Sequence, residues 1–191
     1  MATPHPEPAP LRQSREFRNI ALTGFMGAGK STVGFFLAEI LRFELVDTDK
    51  VIEERKGRRV SEIFAEMGEP AFRAMESDLV EELGRRTGLV IATGGGLIIN
   101  PANRARLRQH ALIACLWASA ETIFERVRTQ SHRPLLRGPD PLHRIRELLE
   151  ERAPIYREAD LLVGVDFRHP PETARFIADA FLAARQVPGS P

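Results

Sequence analysis

The sequence predicts a three-layer α/β/α domain built on a central parallel sheet of about five strands. Three observations predict it. Five short runs, at residues 20–23, 43–46, 89–93, 112–117 and 161–165, are rich in Ile, Val and Leu and bounded by turn or polar residues, as strands buried on both faces are. Amphipathic segments separate these runs, and strands alternating with helices are the pattern of βαβ units. The chain of 191 residues has room for one domain of ordinary size.

The elements follow in order. Over residues 1–18, Pro4, Pro6, Pro8 and Pro10 alternate with small or polar residues and no apolar period develops, so this stretch reads as a disordered or polyproline-like tail. It lacks the apolar core of a secretory signal, and Glu7 and Glu16 dilute the charge of Arg12, Arg15 and Arg18. A single domain is expected over 19–185, with 186–191 a flexible C-terminus. Val33, Phe36, Leu37, Ile40 and Leu41 recur at the steps of one helix face, as do Phe72, Met75, Leu79 and Leu83, and Leu142, Ile145, Leu148 and Leu149. A last helix runs from Pro171, in its first turn, to Arg185.

Composition narrows the class. Hydrophobic residues make up 43% and charged residues 28%, a globular mixture. The longest weakly charged apolar stretch, 111–120, is about half a membrane span. One cysteine excludes an internal disulfide framework and fits a reducing compartment, so a cytoplasmic location is expected. A net charge of +1 and a pI of about 8.0 give no reason to expect a nucleic-acid or membrane partner. Cys115 and Trp117 are expected to pack, and His5, His110, His143 and His169 to lie on the surface. Lysine supplies only Lys30, Lys50 and Lys56, so a lysine in a special place is informative.

Such a place follows the first strand. Residues 24–32 read Gly-Phe-Met-Gly-Ala-Gly-Lys-Ser-Thr, a match to G-x-x-x-x-G-K-[ST] set between a buried strand and an amphipathic helix. Gly27, Ala28 and Gly29 let backbone amides approach phosphate oxygens. Lys30 brings a compact charge to the β- and γ-phosphates, Ser31 can ligate Mg²⁺, and Thr32 lies in the first turn of a helix whose dipole favours an anion. In a chain of this composition the motif arises by chance in roughly one chain in a thousand. The chain is therefore expected to bind a nucleoside triphosphate.

Other strand ends suggest an acceptor. The second strand ends in Asp47-Thr48-Asp49, where alternation would turn both carboxylates to one side. One could hold the metal's waters and the other accept a proton. Either could instead cap the next helix. Gly94, Gly95 and Gly96 end the third strand and allow close backbone approach. Arg73 flanks the apolar stripe of its helix, with Glu76 three residues on to hold the guanidinium for a carboxylate or phosphate. A polar loop around Arg133 suits a mobile lid over about 128–140 that excludes water. Arg152 lies near a helix end, where it could also serve the dipole.

In combination these motifs resemble the shikimate kinase family. GFMGAGKST, LVDTD, EIFAEMGEPAFRAMES, TGGG, HRPLL and ERAPIY fall in the family's order over roughly residues 19–184. The resemblance implies a P-loop kinase fold, ATP and Mg²⁺, and transfer of a phosphoryl group to the 3-hydroxyl of shikimate by a monomer. It implies catalytic roles for Lys30, Asp49 and Arg133. Shikimate would meet Asp49, Phe64, Phe72, Arg73, Gly95, Gly96 and Arg152. Ser31 would hold the metal directly and Asp47 through water. Arg128, with Pro170 or Pro171, would flank the adenine. The segment between Arg128 and Arg133 is short for the family. Gluconate kinase and nucleoside-monophosphate kinase share the cradle, but the second would show a longer lid with several arginines. A catalytically silent nucleotide-binding module would show a damaged acceptor site.

Overall fold

The computed structural model describes residues 15–128 and 140–186. Arg133, the rest of the expected lid from 129 to 139, residues 1–14 and residues 187–191 lie outside the described residues. Five strands form one wholly parallel sheet: β1 (Asn19–Gly24), β2 (Glu44–Asp47), β3 (Leu89–Ala92), β4 (Ala111–Trp117) and β5 (Leu161–Gly164), in the order β2-β3-β1-β4-β5. Each falls within about a residue of an apolar run in the sequence. β1 is buried at all six positions, because helices cover both faces of a central parallel strand.

The helices are α1 (Lys30–Leu41), α2 (Thr48–Lys56), α3 (Val60–Leu83), α4 (Pro101–Arg108), α5 (Ala120–Val127), α6 (Pro141–Tyr156) and α7 (Pro170–Gln186). α1 packs on α7, α3 on α4 and α5 on α6. Leu22, Leu37, Ile91, Leu112, Ile123 and Phe181 are among the residues of the continuous apolar core. No described helix is long and apolar enough to cross a membrane.

Two features depart from expectation. The tail does not extend to residue 18. Arg15 donates to the Arg108 and Ala111 carbonyls and pairs with Asp160 at 2.5 Å, and Phe17 is buried. α3 is two helical segments that meet at Gly68, whose φ of 79° breaks the spiral. Pro70 then sits in the first turn of the second segment, where its missing N–H costs nothing. The bend brings Phe64, from before it, against Phe72, from after it, with ring centroids 4.8 Å apart.

Candidate active site

The carboxyl ends of β1, β2 and β3 open into a cleft of about 530 Å³, the position at which open parallel sheets bind ligands. The loop after β1 lines it. Gly29 caps α1 with φ 95°, a conformation natural to glycine alone, and no side chain caps the helix. The first amides of α1 are thus left for a ligand. Lys30 Nζ donates to the carbonyls of Gly24 and Phe25, at 3.0 and 2.9 Å.

Asp47 closes β2. Its carboxylate accepts a hydrogen bond of 2.6 Å from Ser31 Oγ and caps α2 by accepting from the Lys50 amide at 3.4 Å. Capping and a site position, alternatives in the sequence, coexist here. The expected alternation of Asp47 and Asp49 along a strand is replaced: α2 begins at Thr48, so Asp49 stands in the first turn of a helix. Both carboxylates still line the cleft. Burial, then the charge of Asp47, raise the Asp49 carboxyl above the ordinary aspartate value, and Lys30 opposes them.

The three glycines after β3 show how the site converges. A β-carbon on Gly94 would stand 2.4 Å from Asp49 Oδ1 and 3.1 Å from Glu76 Oε1. One on Gly95 would meet the Met26 amide of the phosphate loop at 3.5 Å. One on Gly96 would collide with the Arg73 guanidinium at 2.6 Å. Consecutive residues therefore touch the acid pair, the nucleotide loop and an arginine. The second arginine joins them, because Arg152 Nη1 donates to the Gly95 carbonyl at 3.2 Å, with its guanidinium 5.3 Å from the centre of the Phe25 ring.

Arg73 is fixed from several sides. It donates to Glu76 Oε2 at 2.8 Å and to Glu69 Oε1 at 2.7 Å, and lies 5.8 Å from the ring centres of both Phe64 and Phe72. The pairing with Glu76 was expected from the three-residue spacing. Glu69, four residues before Arg73, was missed, although the same helical rule could have found it.

Arg128, just past the end of α5, is exposed and pairs with Glu125 at 2.8 Å, and is not among the described residues that line the cleft. Arg126 lines the cleft, and donates to the Val165 carbonyl at 3.0 Å. Arg168 and Pro170 line the same end. Cys115 and Trp117 pack as expected: burial pushes the Cys115 thiol up to about 12, and Trp117 meets the Tyr156 ring edge-on.

Comparison with known proteins places this geometry. The family model described as Shikimate kinase matches residues 26–182. The chain belongs to the shikimate kinase family. Shikimate kinase of Desulforudis audaxviator is 47% identical over 168 residues, covering 88% of each chain. That of Caldanaerobacter subterraneus subsp. tengcongensis is 45% identical over 165 residues, covering 86% of this chain and 96% of its own. A structure of shikimate kinase from Acinetobacter baumannii in complex with shikimate superposes with a TM-score of 0.84 at 37% identity, covering 89% of this chain and 96% of that one.

Glu76 yields a measurable consequence. It is 1% exposed, and Oε1 has no hydrogen-bond partner. Burial pushes its carboxyl up from 4.5 to about 7, against the pull of Arg73 and with the help of Asp49 and Glu69. The folded chain therefore binds this proton more tightly than the unfolded chain. The stability so gained is complete below 4.5 and is lost as pH rises through about 7. Thermal melts should show wild type losing ground to Glu76→Gln across that window. A difference between the two proteins that does not change with pH would contradict the assignment.

Proposed function

We propose that this chain transfers the γ-phosphoryl group of ATP to the 3-hydroxyl of shikimate, giving ADP and shikimate 3-phosphate. The observation that carries the reading is the triple-glycine turn, where an acid pair, two arginines and the nucleotide loop meet. Shikimate carries one carboxylate and several hydroxyls. Two guanidiniums suit the carboxylate, and a carboxylate of raised basicity suits a hydroxyl proton.

The chain's own groups divide the work. Arg73 and Arg152 hold the acceptor's carboxylate, with the backbone of Gly95 and Gly96 beside them, and Phe64 and Phe72 wall the ring. Glu69 and Glu76 keep Arg73 in place before the acceptor arrives, so little ordering remains to be done on binding. Asp49 orients the 3-hydroxyl and takes its proton as the oxygen attacks the γ-phosphorus. The bond to the β,γ-bridging oxygen breaks, and that oxygen leaves on ADP. Lys30 and the amides at the start of α1 neutralise the phosphates. Arg133, assigned to the lid by the sequence, would add charge to the transferring group.

Ser31 and Asp47 fit Mg²⁺. They form a pair of hard oxygen ligands 2.6 Å apart at the mouth of the phosphate loop. Ser31 would hold the ion directly and Asp47 through water. When bound, the ion supplies charge neutralisation across the β- and γ-oxygens. Arg126, Arg168 and Pro170 would flank the nucleotide base. A cytoplasmic monomer with no nucleic-acid partner belongs to the same proposal; the single cysteine supports the location and the balanced charge the lack of a nucleic-acid partner.

An acceptor screen by coupled ADP detection tests the reading. Shikimate should turn over, and gluconate, AMP and CMP should not; turnover with gluconate and none with shikimate would overturn it. Among variants, Asp49→Asn should lower kcat by about 10² or more, whereas Arg73→Ala should raise the KM for shikimate and leave that for ATP near its original value. A near-normal kcat in the first, or equal losses for both substrates in the second, would remove that residue from its role.

A further inference from the structure

A second groove, of about 370 Å³, lies at the opposite end of the strands, beside the residues that precede β1 and β4. Arg18, Arg85 and Arg106 line it together with Glu81, Gly84, Gln109 and His110. His110, expected on the surface, is 3% exposed. Its hydrogen bonding fixes which ring nitrogen carries the proton. The Asn19 side-chain oxygen accepts from the Leu89 amide at 3.0 Å, and its nitrogen donates to the Arg86 carbonyl at 2.8 Å. The amide is thereby oriented, and the group 3.0 Å from His110 Nδ1 is the NH₂. Nδ1 must accept, so the ring proton sits on Nε2. Burial, and the charge of Arg18, lower the ring's pKa and so favour its neutral form.

Nε2–H is therefore a buried donor, and it has no hydrogen-bond partner among the described residues. His110 lines the groove, and its Nε2 lies beside Gly84, where a β-carbon would stand 3.4 Å from it. Buried donors are rarely left unmatched, so the site calls for an acceptor. The arginines determine its charge. Glu81 binds Arg85 at 3.3 Å and Arg106 at 3.6 Å, through different oxygens, which leaves further N–H groups on each. The carboxyl ends of α3 and α4 also point here and contribute about half a negative charge each. Together with Glu81 they fall short of three guanidiniums, so the groove remains net positive.

We propose that this groove is a binding site for a small oxyanion, a phosphate or a carboxylate, which accepts from His110 Nε2–H and is held by Arg18, Arg85 and Arg106. The site is separate from the nucleotide cleft and does not depend on the reaction proposed above.

Long-range ¹H–¹⁵N spectra of the histidine rings in the full chain test it, with inorganic phosphate and citrate as separate probes. Without anion, His110 should show the proton on Nε2. Phosphate, citrate or both should then move the His110 signals saturably and leave His143 and His169 in place; the arm that responds tells phosphate from carboxylate chemistry. The double variant Arg85→Ala/Arg106→Ala changes two cleft-remote side chains, and thermal melts report its fold. It should bind the responding probe about tenfold or more weakly. The opposite tautomer, signals unmoved by either probe at concentrations on the order of 50 mM, or undiminished binding by a folded double variant would each overturn the proposal.

Discussion

The ion pair between Arg73 and the buried Glu76 governs the acceptor side of the cleft. A carboxylate that is 1% exposed and ionised would be costly alone. Arg73 at 2.8 Å offsets part of that cost, although burial still prevails, and Glu76 in return fixes the guanidinium beside Gly96. Much of the surrounding chain serves that arrangement. The bend at Gly68 lets Phe64 and Phe72 approach each other under the guanidinium, and Pro70 begins the second segment so that Glu69 lies one turn before Arg73. Glycine at 94 and 96 leaves the acids and the arginine the space that a β-carbon would take.

The nucleotide side rests on different physics. There the positive character comes mainly from backbone amides at the start of α1 and from Lys30, with a single serine–aspartate pair at the mouth. The two halves meet at Gly95, which touches Met26 on one side and accepts from Arg152 on the other. Asp49 lines the same cleft, raised by its burial and held in check by Lys30.

The legibility of the sequence followed physical redundancy. The strands could be read because burial on both faces demands unbroken apolar runs, and five such runs became five strands. The phosphate loop could be read because its glycines, lysine and serine each answer a separate steric or electrostatic demand. No apolar stripe was read for α4 or α5, since eight residues give barely two turns of periodicity. Asp49 was placed on a strand because nothing local marks where β2 stops and α2 starts. Arg126 was not singled out, since composition does not tell which of many arginines lines a cleft. His110 looked like a surface residue, because its burial depends on Asn19, 91 positions away.

A crystal structure of the chain with ADP, Mg²⁺ and shikimate bound tests the central claim most directly. The account predicts the shikimate carboxylate between Arg73 and Arg152, and the 3-hydroxyl on Asp49, facing the end of the nucleotide. Shikimate seated with its carboxylate away from both arginines, or its 3-hydroxyl out of reach of Asp49, would contradict it.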